Sequence, residues 1–284
     1  MFDKLFVLSQ YLTPQLAVSR LAGRFADSEG SPALKDRVVK WFIGRYGVDM
    51  SEAAEPDPTA YASFNAFFTR ALKPGVRPIA EGEKTLVSPV DGKISQLGQV
   101  TGDRVFQAKG QSFSLNELLG DNLQRTEAFS EGEFATIYLA PSDYHRIHMP
   151  MAGKLREMVH IPGKLFSVNP VTAEHVPNLF ARNERVVCIF DTDAGPMAMV
   201  LVGAMIVGSV ETTWSGVVVP GNGLVTDFQY EGEQAREFAK GEEMGRFRLG
   251  STVIMVMPKG AVSWKENQVA GKTVRMGEAF GELA

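Results

Sequence analysis

The chain has one cysteine, Cys188, among its 284 residues, which excludes an internal disulfide framework. Cys188 sits in Arg185-Val186-Val187-Cys188-Ile189-Phe190, where core packing in a strand is expected of it. Only four histidines are available as bases or metal ligands. The formal net charge of −4 and the lack of a dense Lys/Arg stripe argue against a nucleic-acid binder. No charge-free run approaches the roughly 20 residues needed to span a bilayer. The opening segment Met1–Leu8 is apolar, but Asp3 and Lys4 interrupt it and Pro14 follows. No small-residue cleavage site comes after it, so a signal peptide is not expected. Internal repeats and low-complexity tracts are also lacking. Gly203, Gly208 and Ser209 do not build a G-x-G-x-x-G fingerprint, so nucleotide binding is not indicated.

What is present fits a globular protein. Hydrophobic content of 44% and charged content of 22% leave ample material for a core. The length suits one large domain, or one domain with an appendage. Phe2, Leu5, Phe6 and Leu12, then Leu16, Leu21 and Phe25 with Arg20 and Arg24, have the spacing of short amphipathic helices. Their apolar faces suit packing on the main domain or a second subunit, or a membrane interface. Ser31-Pro32 predicts the start of a helix through Val38, Trp41, Phe42 and Tyr46, closed by Gly47. A Pro-interrupted connection over 48–58 precedes a further helix carrying Tyr61, Phe64, Phe67 and Phe68. Leu115–Leu119 predicts one helical turn. Beyond residue 84 short strands dominate, near 93–100, 134–140, 153–160, 185–191, 197–203, 205–211 and 252–257. The expected fold class is α+β: short N-terminal amphipathic helices on a mostly antiparallel β-rich core.

The chemistry concentrates near the C-terminus. Leu249-Gly250-Ser251-Thr252 leads into the apolar run Val253-Ile254-Met255-Val256-Met257. A Ser251 hydroxyl lies one residue from the Gly250 carbonyl, and glycine lacks the Cβ that would crowd its approach. Attack there turns amide into ester, and elimination across the serine Cα–Cβ bond then breaks the chain. Hydrolysis of the resulting dehydroalanine leaves a pyruvoyl group, an electron sink made from the protein itself. A Gly-Ser pair alone is most often a loop element. Two further segments supply the parts that activate a hydroxyl. Ala140-Pro141-Ser142-Asp143-Tyr144-His145-Arg146-Ile147-His148-Met149-Pro150 holds two of the four histidines. Val87-Ser88-Pro89-Val90-Asp91-Gly92 holds an acid in a turn. An imidazole accepts the hydroxyl proton while a carboxylate orients and stabilises the imidazole. Asp91 could equally be a turn residue. His145 and His148 would lie on adjacent turns of a helix, though Pro141 and Pro150 also suit a turn or short strand.

Together, PVDGKI (89–94), APSDYHRIHMP (140–150), PGKLFSVNP (162–170), VGAMIVGSVE (202–211) and KGEEMGRFRLGST (240–252) resemble the pyruvoyl-dependent phosphatidylserine decarboxylases. The bacterial membrane-associated branch is most similar. Phe67-Phe68-Thr69-Arg70, with Leu72-Lys73-Pro74 and Arg77-Pro78-Ile79, looks like that family's FFTR…LKPxxRPI stretch. The resemblance runs from about residue 60 to the end, with a weaker N-terminal match. It implies a self-processing triad of Asp91, His148 and Ser251, with Gly250–Ser251 as the cleaved bond. Residues 1–250 would form the β chain and 251–284 the α chain. It implies further that Ser251 becomes the pyruvoyl cofactor and binds the substrate amine as a Schiff base, phosphatidylserine losing CO2 to give phosphatidylethanolamine. His145 is then the acid or base of decarboxylation, and Phe166, Ser167, Val168 and Asn169 a substrate-pocket segment. The same resemblance implies a homodimer of β/α pairs, peripheral on the cytoplasmic face of the bacterial cell membrane. Residues 1–72 would be a helical, membrane-proximal segment and 73–284 the catalytic domain. No metal is expected, because Asp143 beside the two histidines is too small a ligand set. His160 and His175 have no motif and are expected to pack or lie at the surface. A serine hydrolase is the first rival, but it lacks the nucleophile elbow G-x-S-x-G. A pyruvoyl decarboxylase of a soluble amino acid and a non-enzymatic β scaffold are the others.

Overall fold

The computed structural model describes residues 2–205, 209–218, 223–248 and 251–284. Four helices come first: α1 (Phe2–Leu12), α2 (Gln15–Asp27), α3 (Pro32–Tyr46) and α4 (Phe64–Phe68). Strands β1 (Thr85–Val87), β2 (Gly92–Gln99), β3 (Arg104–Ala108) and β4 (Gln111–Ser114) precede helices α5 (Leu115–Leu118) and α6 (Leu123–Glu127). Next come β5 (Glu133–Leu139), β6 (Arg146–His148), β7 (Gly153–Ile161), α7 (Pro170–His175) and α8 (Leu179–Arg182). The chain continues through β8 (Arg185–Thr192), β9 (Gly195–Val202), β10 (Val210–Thr212), β11 (Gly216–Val218) and β12 (Thr226–Gln229). It closes with β13 (Glu237–Phe238), β14 (Glu243–Phe247), β15 (Ser251–Met257), β16 (Val262–Trp264), β17 (Thr273–Val274) and β18 (Ala279–Leu283).

The largest sheet runs β12-β7-β8-β9-β15-β5-β2-β17, with β13 also on β7. A second sheet runs β11-β10-β14-β6, and a third β1-β18-β16. Every ladder between these described strands is antiparallel, in keeping with the α+β expectation. Strand β15 lies between β5 and β9, with Ile254 opposite Thr136 on one side and Val200 on the other. Side chains alternate along it. Val253, Met255 and Met257 join a core shared with Leu201, Phe190, Ile147, Met244 and Phe247. Ile254 and Val256 join a second core with Val200, Ile189, Phe113, Phe129 and Phe180. Burial on both faces is why these strands are continuous apolar runs in the sequence rather than alternating ones.

The N-terminal helices form a smaller aromatic core. Phe42 of α3 meets the rings of Phe64, Phe67 and Phe68 edge-on, with centroids 5.2, 6.1 and 5.9 Å away. Gly47 closes α3 in the left-handed conformation at φ 68°, which its missing side chain permits. Pro32 starts that helix as expected, but Ser31 makes no side-chain cap bond. Ser63 does cap α4, accepting from the Ala66 N–H at 3.1 Å. Tyr61 falls in a bend before α4 rather than inside a helix. The strand expected over 205–211 is not formed as such: Met205 is in a turn, and β10 begins only at Val210. Residues 206–208, including Gly208, lie outside the described residues.

Helix α1 divides its apolar residues between the body and the outside. Val7 is buried in the second core, and the Gln10 and Gln15 side chains accept the backbone N–H groups of Ser167 and Leu165. Leu12 and Leu21 are exposed at 78% and 71%, with Leu8, Tyr11 and Phe25 also outward. Among the described residues no helix is long and apolar enough to cross a membrane. Truncating a fully buried side chain of β15 should be costly, because both neighbours are rigid strands. Ile254→Ala is expected to lose about 2–5 kcal/mol, measured as a lower urea unfolding midpoint at unchanged slope.

Candidate active site

The sharp turn before β2 places Asp91. Ser88 Oγ donates to the Val90 carbonyl at 2.8 Å and tightens that turn. At Gly92 a Cβ would come within 2.5 Å of the Tyr138 carbonyl, so only glycine lets β2 start this close to β5. The Asp91 carboxylate is buried and multiply bonded. Arg77 donates through Nη2 at 2.6 Å and through Nε at 2.9 Å, and the Met276 N–H adds a bond of 2.8 Å. Arg77 is shared with Glu52, 2.7 Å away. Burial pulls the Arg77 guanidinium toward losing its proton, but the two carboxylates outweigh it and hold its pKa above the usual value. The same hydrogen bond from Arg77 keeps Glu52 below the usual carboxylate range.

His148 ends β6, and its backbone N–H donates to the Pro89 carbonyl at 2.9 Å, which ties it to the Asp91 turn. Its ring bonds go elsewhere. Nδ1 lies 2.8 Å from the Gly241 carbonyl, and Nε2 lies 3.0 Å from the Tyr144 hydroxyl. A carbonyl only accepts, so Nδ1 carries the proton and the neutral ring accepts at Nε2. Asp91 and His148 are therefore neighbours through backbone, while the carboxylate bonds Arg77 and Met276 rather than the imidazole. Burial lowers the His148 pKa, with the Gly241 bond and the charges of Glu243 and Asp91 opposing it.

His145 is fully buried. Its Nδ1 donates to the Asp143 carbonyl at 2.8 Å, its ring packs on Phe68 with centroids 4.1 Å apart, and among the described residues Nε2 has no partner. Burial pushes its pKa down to about 3, so the ring is neutral at physiological pH. Residues 146–148 form a short strand, which settles the earlier choice between helix and strand. Asp143 caps the loop, accepting the Ala140 N–H at 2.7 Å, and burial raises its pKa.

Backbone pairing brackets the Gly250–Ser251 bond. The Phe247 N–H donates to the His145 carbonyl at 2.9 Å, and Ser251 is opposite Leu139 at the end of β5. The 140–145 loop thus joins both flanks of the segment. Leu249 and Gly250 lie outside the described residues. The structure brings the backbone of Ser251, the two histidines and the Asp91 turn to one end of β5.

The Phe166–Asn169 segment is mostly structural in its contacts. Phe166 is buried against Tyr11 at 4.9 Å between ring centroids, under the Arg182 guanidinium. The Asn169 side chain caps α7 by accepting from the Thr172 N–H at 3.0 Å. Ser167 is half-buried, and Val168 lines a cavity of about 220 Å3 with Pro170, Tyr138 and Lys93. His160 is buried against Glu184 at 2.7 Å, and His175 bonds the Val171 carbonyl. Among the described residues no group of three or more His, Cys, Asp or Glu could hold a metal ion.

Several neighbours of these residues were quoted in motifs without a role. Arg77 of the RPI stretch pairs with Asp91, and Gly241 and Tyr144 bond His148. Arg70 of the FFTR stretch is buried and donates to the Ser142 carbonyl at 3.0 Å. A second cavity, also about 220 Å3, is lined by Arg70, Arg77, Asp91, Asp143 and Tyr144. A charged arginine close to an isolated acid was the available signal for the first pair. Removing Arg77 would strand the buried Asp91 charge. Arg77→Ala is expected to lose about 3–5 kcal/mol of stability, measured by urea unfolding at neutral pH.

Comparison with known proteins identifies the family. The family model described as phosphatidylserine decarboxylase matches residues 64–282, and a second, described as PSD, matches residues 5–47. The phosphatidylserine decarboxylase proenzyme of Marinobacter nauticus is 77% identical, covering 100% of this chain and 99% of the relative. The proenzyme of the same name from Hahella chejuensis is 58% identical over 100% of this chain and 95% of its own. The one from Bordetella pertussis is 55% identical over 98% of this chain and 94% of its own. The chain belongs to the phosphatidylserine decarboxylase family.

Proposed function

We propose that this chain is a proenzyme that cuts itself before Ser251 and then converts phosphatidylserine to phosphatidylethanolamine and CO2. The observation that carries this reading is the pair of neutral imidazoles, His145 fully buried on the 140–145 loop and His148 half-buried at the end of β6, held close to the Asp91 turn and the start of β15. A neutral imidazole can accept a proton, and burial keeps both rings in that form.

In self-cleavage His148 takes the proton of the Ser251 hydroxyl as its oxygen attacks the Gly250 carbonyl. Asp91 supports the imidazolium by charge, being one of the two carboxylates that favour the protonated ring. The fragment 251–284 would stay in place after the cut. β15 remains laddered to β5 and β9, β17 to β2 and β18 to β1. Val253 through Met257 are fully buried, so release would expose a continuous apolar strand.

The site's residues fit a pyruvoyl group made from Ser251, because among the described residues the buried Nε2 of His145, on the adjoining loop, has no hydrogen-bond partner. Such a group supplies the electron sink needed when the substrate carboxylate leaves. His145 accepts and returns a proton at Nε2, its ring orientation set by the Asp143 carbonyl and Phe68. Ser167 and Val168 adjoin the substrate, and α1 contacts their segment through Gln10 and Tyr11. This links the lipid path to the outward apolar residues of α1 and α2. Residues 1–72 are thus the membrane-proximal part and 73–284 the catalytic part. The enzyme sits peripherally on the cytoplasmic membrane face, as a homodimer of β/α pairs.

Ser251→Ala is expected to yield one intact, inactive chain on denaturing electrophoresis; normal fragments would refute the serine assignment. His148→Ala and Asp91→Asn should slow cleavage, the former by about 100-fold or more. His145→Ala should still cleave but lose CO2 release from phosphatidylserine vesicles by a similar factor, and a chelator should change neither step. Leu12→Asp combined with Leu21→Asp should reduce co-sedimentation with anionic vesicles while leaving self-cleavage intact; unchanged sedimentation would remove these helices from the interface.

A further inference from the structure

The C-terminal end of α4 grips the 142–146 loop through three consecutive residues. The Phe68 ring lies on the His145 imidazole, with centroids 4.1 Å apart. The Thr69 carbonyl accepts from Arg146 Nε at 2.9 Å. Arg70 Nη2 donates to the Ser142 carbonyl at 3.0 Å and, more weakly, to the Asp143 carbonyl at 3.4 Å. That same Asp143 carbonyl receives the Nδ1–H of His145. A carbonyl only accepts, so Nδ1 holds the ring proton and Nε2 keeps its lone pair. Among the described residues nothing bonds that second nitrogen. We infer that Phe68, Thr69 and Arg70 are positioning residues for decarboxylation, holding the loop so that His145 keeps one ring plane and one tautomer with Nε2 free for the proton. This rests on His145 being the acid or base of decarboxylation, as proposed above.

The condition of Arg70 favours this use. It is only 4% exposed, and among the described residues its Nε and Nη1 have no partner and no carboxylate bonds Nη2. Its guanidinium lies over the Phe67 ring, 5.6 Å from the centroid. Burial lowers its pKa. A buried guanidinium held by carbonyls alone costs the fold more than an apolar side chain of similar bulk would. Stability therefore does not account for a cation here. The carbonyls it bonds belong to Ser142 and Asp143, just before His145 in the chain. The Arg70 charge also opposes protonation of His145 and so supports the neutral ring. Behind the grip, Phe68 packs against Phe42 and Phe64 of the N-terminal aromatic core. The helical segment thus touches the reacting loop directly, a task separate from its exposed apolar residues.

The test uses the full chain and a short-chain phosphatidylserine kept monomeric, so that membrane contact does not limit the rate. CO2 release is counted per cleaved chain. Arg70→Met keeps apolar bulk and removes the bonds to the loop. It should lower kcat by about 10- to 100-fold with KM unchanged, because a misplaced imidazole loses much of its effect. Its urea midpoint should equal or exceed the parent's, since a buried charge leaves with the bonds. Nitrogen NMR of labelled histidine should show His145 passing from a single Nδ1–H form to a mixture of tautomers. A parent-level kcat, a fall in kcat matched by a fall in the urea midpoint, or a chain that no longer cleaves would each overturn the proposal. If Arg70→Met fails to fold, Phe68→Leu decides: it refills the aromatic core and takes the ring away from His145. Its kcat should also fall with KM unmoved, and a parent-level kcat sinks the idea. Normal turnover in His145→Ala would instead overturn the role of His145 beneath it.

Discussion

The position of strand β15 is the constraint on which the rest of the molecule depends. It is clamped between β5 and β9 and buried on both faces, so its first residue, Ser251, begins at a fixed point opposite Leu139. Register in a doubly buried strand is strongly specified, because a slip by one residue exchanges two cores filled by different side chains. The same packing that starts Ser251 beside the histidine loop would also retain the fragment behind it. Stability and chemistry are served by one element.

Around that fixed point the protein uses burial to set protonation. His145 and His148 lose solvent and so stay neutral, whereas the Arg77–Asp91–Glu52 cluster keeps its charges by pairing them. These are two responses to one desolvation cost: an imidazole can shed its proton near neutral pH, and a guanidinium cannot. The Asp91 carboxylate is consequently held by arginine and acts on His148 at a distance. Orientation of the imidazole falls to a backbone carbonyl and a phenol.

The N-terminal helices join this site to the outside. α1 is anchored by Val7, Gln10 and Tyr11 to the body, and its Phe6, Leu8 and Leu12 side chains remain exposed. Of the uses read from its periodicity, packing on the body is seen in one stripe, while another stripe is exposed. Phe166 and Ser167 form the contact between α1 and the body.

Much of this was legible in the residues. The strands near 134–140, 185–191 and 252–257 were evident as apolar runs, because burial on both faces leaves no polar alternation to blur them. The helix from Pro32 to Gly47 was legible from its punctuation, whereas of the 205–211 run the described residues show a turn at Met205 and a strand only from Val210. The family resemblance of the motifs put Asp91, His145, His148 and Ser251 in one expected group. What the linear order could not show was the partner of each. Gly241 is 93 positions from His148, and Met276 is 185 from Asp91. Such bonds depend on which loops the sheets bring together, and a carbonyl or an N–H carries no residue-specific mark in the sequence. The sequence by itself determined the fold class and most of the elements, and it named the candidate residues that those elements bear. Only the tertiary structure decided that Arg77 takes Asp91 and that Tyr144 and Gly241 hold His148, because hydrogen bonding is settled by distance and direction after the core has closed.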